Sequence, residues 1–165
     1  MIKRTRILGV VLTLVAGLIG AGGQASAATC TRPRQLSIDD IRGYEGTAAP
    51  GSLGTPFTFT VTSSGCAKAG RVFYSTVPGY ASFDDFTSKQ AVLAFADGDM
   101  AKRTITVLVT PDSVGEPTED FGVRLCPSAD PITLGRDRAT ASVLNDDEAP
   151  VDWLPPPMIE FHCSE

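Results

Sequence analysis

The chain has 165 residues, with 14 basic and 19 acidic side chains and a net charge of −5. An acidic surface disfavours binding to nucleic acids and anionic lipids and favours binding to cations. The length and the hydrophobic content of 42% are typical of a globular chain with one domain.

The first 27 residues have the features of a secretory signal peptide. The basic stretch MIKRTR precedes an apolar stretch, Ile7–Ile19, and the sequence ASA ends at Ala27. We predict cleavage after Ala27, which makes the protein secreted and leaves no further membrane segment; an uncleaved anchor is the alternative. Cleavage removes three basic residues and no acid, so the net charge goes from −5 to −8. Residues 28–165 then have the length of one domain.

Short segments with alternating apolar and polar residues follow one another through most of the remaining chain. Between them lie turn-forming residues, such as the ADGD sequence at residues 96–99. This pattern predicts an all-β fold, an Ig-like antiparallel β-sandwich of about seven strands, with a small β-barrel as the alternative. The predicted strands are Gln35–Ile41, Phe57–Val61, Arg71–Val77, Ala91–Phe95, Arg103–Val109, Phe121–Leu125 and Thr140–Leu144.

The two ends of the secreted chain differ in composition from its centre. Residues 28–35 form a short N-terminal extension, and residues 149–165 form a Pro-rich tail. Four prolines between Pro150 and Pro157 exclude a regular strand and favour an extended chain. Trp153 and Cys163 favour a tail that is docked on the domain over a free one.

All four cysteines lie in the exported part, which predicts two disulfides formed in an oxidising compartment. The sequence allows three pairings. Cys66 follows the second predicted strand and Cys126 ends the sixth, so both belong to one end of the sandwich. We therefore expect Cys66–Cys126, which leaves Cys30–Cys163.

Acidic residues follow the odd-numbered predicted strands, and these strands all end at the same pole of an antiparallel sandwich. Carboxylates about 4 Å apart repel each other by roughly 1 kcal/mol in water and about 4 kcal/mol near a protein surface. Ca²⁺ relieves such repulsion, because it binds six to eight oxygens in irregular geometry. The alternative is that these are ordinary solvated loop acids. The converging acids are Glu45, Asp85, Asp112 and Asp146, with Glu116 and Glu119 in the connection between strands five and six.

Six segments, spread from Leu36 to Glu148, resemble the Calx-beta domain of sodium/calcium exchangers and integrin β4. They are LSIDDIRGYEGT, FTFTVTSSG, FDDF, FADGDMAKRTITVLV, VGEPTEDFGVRL and LGRDRATASVLNDDE, in this order. The resemblance implies a Calx-beta domain at residues 36–148, an antiparallel sandwich that binds Ca²⁺ in the loops at one pole.

The resemblance also implies which positions hold the ion. Pro111, Thr118 and Asn145 stand where calcium-binding members can carry an acid. One or two bound ions are therefore expected here rather than a larger cluster. The implied ligands are Glu45, Asp85, Asp112, Glu116, Glu119, Asn145, Asp146 and Asp147.

These observations predict a monomeric, exported, non-catalytic Ca²⁺-binding module with an adhesion or extracellular interaction role and a protein or cell-surface partner. No catalytic residues are assigned, because His162 is the only histidine and lies beside Cys163 in the tail. The alternative function is a metal-independent, disulfide-stabilised secreted interaction or inhibitor protein.

Overall fold

The computed structural model describes residues 30–48 and 50–147. The predicted signal peptide and Pro-rich tail lie outside these residues. Among the described residues, no helix has the length and apolar character needed to cross a membrane. The strands are β1 (Arg34–Ile38), β2 (Ile41–Tyr44), β3 (Thr55–Ser64), β4 (Gly70–Pro78), β5 (Gln90–Phe95), β6 (Arg103–Val109), β7 (Glu119–Cys126), β8 (Ile132–Arg136) and β9 (Arg138–Leu144).

Two sheets pack face to face. One has four strands in the order β6-β3-β1-β8, and the other has five strands in the order β2-β9-β7-β4-β5. Most neighbouring strands are antiparallel, and each sheet buries alternate side chains against the other. The predicted Ig-like β-sandwich is therefore confirmed.

The described residues form nine strands instead of about seven because two chain segments pass from one sheet to the other. The first predicted strand divides at Asp39 and Asp40 into β1 and β2, which belong to different sheets. In the same way only Asp137 separates β8 from β9. β1 pairs in parallel with β8, and β2 pairs in parallel with β9. If β1–β2 and β8–β9 are each counted as one continuous segment, these two segments and the other five strands make seven. The alternation pattern did not predict β8.

Asp40 holds the two switching segments together where they cross. Its Oδ1 accepts a hydrogen bond from Thr140 N at 2.7 Å, and it forms an ion pair with Arg136. The hydrogen bond from Arg136, followed by that from Thr140, holds the pKa of Asp40 below its ordinary value. Because the two segments run in the same direction, β2 and β9 end at the same pole.

The core lies between the sheets and is built from the predicted inward faces. Phe121 on β7 stacks on Phe86 at 4.5 Å between ring centroids, and it contacts Phe57 and Phe59 edge-on at 6.0 and 5.9 Å. Phe86 comes from the β4–β5 loop, so the core reaches the pole at which that loop lies. The buried alternating residues include Phe57, Phe59, Val61, Ile105, Val107, Val109, Phe121, Val123 and Leu125, as predicted.

The predicted disulfide pairing is wrong, because Cys30 is bonded to Cys66. β1 runs antiparallel to β3, so the residues before β1 lie beside those that follow β3, and Cys66 N donates to Arg32 O at 3.3 Å. Cys126 ends β7, which lies in the other sheet. Cys66 and Cys126 thus share a pole, as expected, but the width of the sandwich separates them. Cys30–Cys163 is excluded by the same bond.

Candidate metal centre

The ends of β2 and β9 bring the first set of acids together. Tyr44 and Leu144 are paired at the last position of this parallel ladder. Glu45 N then donates to Leu144 O at 3.0 Å, and Gly46 N donates to Asp146 Oδ1, also at 3.0 Å. Gly46 adopts a φ of +84°, which favours glycine and aims its N–H at the Asp146 carboxylate. Glu45 is therefore held directly beside the loop that follows β9.

The connection between β6 and β7 supplies a second set. Asp112 forms an isolated parallel bridge with Thr47, and its carbonyl accepts a hydrogen bond from Ala48 N at 3.2 Å. Its Oδ1 accepts a hydrogen bond from Val114 N at 2.7 Å, which bends the chain toward Glu116. Glu119 is the first residue of β7 and occupies an inward-facing position.

Asp85 reaches the same pole from the β4–β5 loop. Its carbonyl accepts a hydrogen bond from Thr110 N at 2.7 Å, just beyond the end of β6. Its Oδ2 accepts a hydrogen bond from Ser82 N at 2.6 Å, which fixes the carboxylate within its own turn. The neighbouring bridge between Phe86 and Val109 anchors this loop on the core.

These connections produce two groups of three carboxylates. The first triad is Glu45, Asp146 and Asp147, and the second triad is Asp85, Glu116 and Glu119. Within each triad, one carboxylate oxygen per residue lies within 4.8 Å of the others. The charge of Glu45 contributes to the raised pKa of Glu119, so the two triads lie close enough to interact.

The site holds negative charge in a partly desolvated place. Burial, followed by repulsion from Asp112 and Glu116, raises the pKa of Glu45 to about 7. Burial, followed by repulsion from Asp85 and Glu116, raises the pKa of Glu119 to about 8. The pKa of Glu116 is also raised, first by burial and then by Asp85 and Asp112. Protons or a cation must therefore neutralise part of this cluster.

Two carboxylate oxygens in the first triad are buried and have no hydrogen-bond partner, namely Glu45 Oε1 and Asp147 Oδ2. Glu45 is only 6% exposed and Glu119 only 9%. A buried carboxylate oxygen without a partner is costly, by about 1–3 kcal/mol or more. Among the described residues, the ion pairs of Asp40, Asp99, Asp130 and Asp137 all lie outside the two triads.

The donor set suits a hard divalent cation. Every donor in both triads is a carboxylate oxygen, and the ligands come from loops at the ends of different strands. Ca²⁺ accepts such oxygens at about 2.3–2.6 Å with variable geometry, whereas Mg²⁺ needs near-ideal octahedral positions. The unpartnered oxygens of the first triad are free to become ligands without breaking a hydrogen bond.

Comparisons of the whole chain give matches among solved structures only. No protein-family model and no curated protein matches the sequence. The structure of CBD12 from CALX1.2 matches with a TM-score of 0.59 and 25% identity over 68% of this chain and 46% of that one. The calcium binding domain CBD12 of CALX1.1 matches with a TM-score of 0.58 and 25% identity over the same shares.

The apo-form Calx CBD1 domain matches with a TM-score of 0.59 and 24% identity, over 70% of this chain and 100% of that one. The chain has a Calx-beta-like fold. It spans less than half the length of the two CBD12 structures and the full length of the CBD1 domain.

The Calx-beta-like fold brings the predicted acids to one pole but gives them different positions. Six of them form the two triads. Asp112 belongs to neither triad, but its charge contributes to the raised pKa of Glu45 in the first triad and of Glu116 in the second, so it lies near both triads. Asn145 donates through Nδ2 to Asp147 O at 2.6 Å and accepts from Asp147 N at 3.1 Å. Its side chain therefore shapes the loop that presents Asp147.

Sequence reasoning did not identify Gly46 and Thr55 as parts of the site. The Thr55 hydroxyl donates to the carbonyl of Glu45, and a Cβ on Gly46 would lie 3.0 Å from that hydroxyl oxygen. The Glu-Gly-Thr sequence at residues 45–47 was the only available signal, since glycine often marks a left-handed turn. Asp120 instead accepts a hydrogen bond from Tyr80 N at 3.0 Å and supports the neighbouring loop.

Proposed function

We propose that this chain is an exported, non-catalytic Ca²⁺-binding module. The observation that carries the proposal is the pair of carboxylate triads at one pole, with buried and unpartnered oxygens on Glu45 and Asp147. Each triad offers a place for one ion, which agrees with the expectation of one or two. The similarity to a structure described as a calcium binding domain supports the same function.

The proposal includes a secreted location and an extracellular role. The N-terminal segment with the features of a signal peptide supports export. The bond between Cys30 and Cys66 supports it as well, because disulfides persist in oxidising compartments. Bound Ca²⁺ would fix four chain segments against each other at one pole, namely the ends of β2 and β9, the β4–β5 loop and the β6–β7 connection. This end could then present a defined surface for adhesion or for a protein or cell-surface partner.

A comparison of melting temperatures with Ca²⁺ and with chelator tests the proposal. Ligand at about 100 times its Kd stabilises a protein by about 2.7 kcal/mol. With an extracellular-type Kd of about 10⁻⁴ M, 10 mM Ca²⁺ is expected to raise Tm by about 5–15 °C. Mg²⁺ at the same concentration should produce a much smaller rise.

Matched variants make this test specific for the site. Asp146→Ala combined with Asp147→Ala removes two of the three carboxylates of the first triad and should abolish most of the Ca²⁺-dependent rise. Asp84→Ala removes an exposed acid beside Asp85 that belongs to neither triad, and should retain the rise. Equal melting temperatures of the intact protein in Ca²⁺ and in chelator would instead favour the metal-independent interaction or inhibitor protein.

A further inference from the structure

The outer face of the five-stranded sheet carries a row of partly exposed apolar side chains. Phe73 on β4 is paired with Val92 on β5 and with Cys126 on β7, so the three side chains lie side by side on one face. Phe73 is 48% exposed and Val92 43% exposed, whereas Val72 and Tyr74 on the opposite face are buried. We call Val92, Phe73 and Cys126 the outer apolar row.

The disulfide state of Cys126 connects this row with the C-terminal part of the chain. Cys126 is disulfide-bonded. Cys30 and Cys66 are bonded to each other, and the chain has four cysteines. The remaining cysteine is Cys163. A bond from Cys126 to Cys163 would bring residues near position 163 directly onto the outer apolar row.

We infer that the Pro-rich tail, residues 149–165, runs back along the outer face of the five-stranded sheet and covers the outer apolar row. β7 has eight residues, so the face measures about 25 Å from the acidic pole to Cys126. Cys163 lies sixteen positions after Asp147, a length of chain that can span about 50 Å in polyproline-like conformation. The tail is therefore long enough to make this return.

The residues just before Cys163 match the row. Ile159 and Phe161 lie four and two residues before Cys163. Residues 158–163 contain no proline, and in a strand-like chain alternate residues share one face, so both side chains would point the same way as Cys163. A Cys163 that is bonded to Cys126 faces the sheet, and Ile159 and Phe161 then face it too. Their apolar surface fits that of Phe73 and Val92.

Charge also favours this path. Arg124 and Arg138 are directly paired on the same outer face, one row closer to the acidic pole. Like charges placed opposite each other are unfavourable. Among the described residues, Arg124 forms an ion pair with Asp137 at 3.8 Å and Arg138 forms none. Residues 148–165 contain four acids and no lysine or arginine. An acidic segment that passes beside Arg124 and Arg138 reduces the repulsion between these two side chains.

Peptide mapping of the oxidised, secreted protein without reduction tests the covalent part. We expect one linked pair of peptides that contains Cys30 and Cys66 and a second that contains Cys126 and Cys163. A Cys163 that is free, or linked to a second copy of the chain, would overturn the inference.

Limited chymotrypsin digestion tests the docking itself. Cleavage after Phe161 is measured by mass spectrometry after reduction, because the cleaved end stays attached through Cys163 until then. In the full-length oxidised protein, Phe73→Ser combined with Val92→Ser should speed this cleavage by about tenfold, since proteolysis follows the population of the open state. Cys163→Ser should have a similar effect.

Two controls keep the result interpretable. Leu53→Ser changes a strongly exposed apolar residue in the β2–β3 loop and should leave the rate of cleavage unchanged. Val92 lies on the edge strand β5, so Val92→Ser alone is a milder variant that can be used if the double variant unfolds. Wild-type cleavage as fast as that of the variants, with Cys126 and Cys163 linked, would show a tail that is tethered without being docked, and would overturn the inference.

Discussion

Glu45 shows most clearly how the acids of the site differ from solvated acids on the surface. Its backbone is used for the fold, because its N–H extends the ladder with Leu144 and its carbonyl accepts from the Thr55 hydroxyl. Its side chain is buried, and Oε1 has no hydrogen-bond partner. A glutamate that served stability alone would be expected to have a donor at this oxygen.

Glu45→Gln separates these two roles. The variant keeps the size of the side chain but removes one of the repelling charges, so in chelator at pH 8 its Tm should equal or exceed that of the wild type. Ca²⁺ should bind at least about tenfold more weakly, since the first triad loses a charged ligand. Calorimetric titration with Ca²⁺ and thermal melts in chelator measure the two effects.

Asp84→Asn is the control for Glu45→Gln, because it removes one negative charge from the same pole without touching either triad. It should change Ca²⁺ affinity by much less than Glu45→Gln does. A Glu45→Gln protein that melts well below the wild type in chelator, yet binds Ca²⁺ normally, would show that Glu45 is a structural residue instead.

At the level of strands, the sequence was sufficient to predict alternation and direction. The inward faces on β3, β6 and β7 follow from the period of two, and each buries the predicted side chains. The common pole of the acids follows from strand direction alone, which is the same whether a strand stays in one sheet or switches. This explains why acids that the sequence predicts to converge lie at one pole although the number of strands differs from the prediction.

The pairing of the cysteines could not be predicted from strand direction alone. Direction places Cys66 and Cys126 at the same pole, but only the assignment of strands to sheets shows that β3 and β7 lie in different layers. Sheet assignment depends on where the chain bends between layers, at Asp40 and Asp137, and a single polar residue gives no periodic signal for such a bend. Gly46 and Asn145 are similar cases, because their roles depend on local turn geometry.

The bond between Cys30 and Cys66 should stabilise the fold without affecting the metal centre. It closes a loop with a sequence separation of 36, for which chain entropy gives about 4 kcal/mol. Cys30→Ser combined with Cys66→Ser should therefore lower the free energy of unfolding by about 3–4 kcal/mol. Urea denaturation in chelator measures this change.

The same double variant should keep the Ca²⁺-dependent increase in stability, because the bond lies at the pole opposite the triads. Repeating the denaturation in Ca²⁺ measures that increase. Loss of the Ca²⁺ effect in a folded Cys30→Ser, Cys66→Ser protein would mean that the two poles are coupled, contrary to the arrangement described here.

Over the whole molecule, charge is distributed unevenly between the two poles. The acids of the β2, β6–β7 and β9 ends are concentrated at one pole, while the N-terminal strand and its disulfide occupy the other. At the second pole, Arg34 is fully buried and donates to Lys68 O at 2.7 Å and to Ala96 O at 3.2 Å. Among the described residues, the buried Arg34 at this pole therefore has hydrogen-bond partners, whereas the other pole retains unpartnered carboxylate oxygens on Glu45 and Asp147.

This imbalance predicts how pH affects the stability of the metal-free protein. The pKa of Glu45 is raised to about 7 and that of Glu119 to about 8. Between the ordinary glutamate pKa of about 4.5 and these values, the folded protein binds more protons than the unfolded chain, so the free energy of unfolding falls as pH rises. The contribution of both residues is complete below about pH 4.5 and is lost through about pH 7–8.

Urea denaturation at several pH values between 5 and 8.5, on protein exchanged into metal-free buffer, measures this dependence. The pKa values of Asp40 and Asp99 are lowered, so both groups are already ionised across this range and contribute no slope. Glu45→Gln combined with Glu119→Gln should flatten the curve of the metal-free protein. Saturating Ca²⁺ should also remove most of the fall with pH, because the bound ion keeps both carboxylates deprotonated across this range, as they are in the unfolded chain. Metal-free protein that becomes more stable from pH 5 to 8 would contradict the assignment of Glu45 and Glu119 as the groups whose charge the bound cation neutralises.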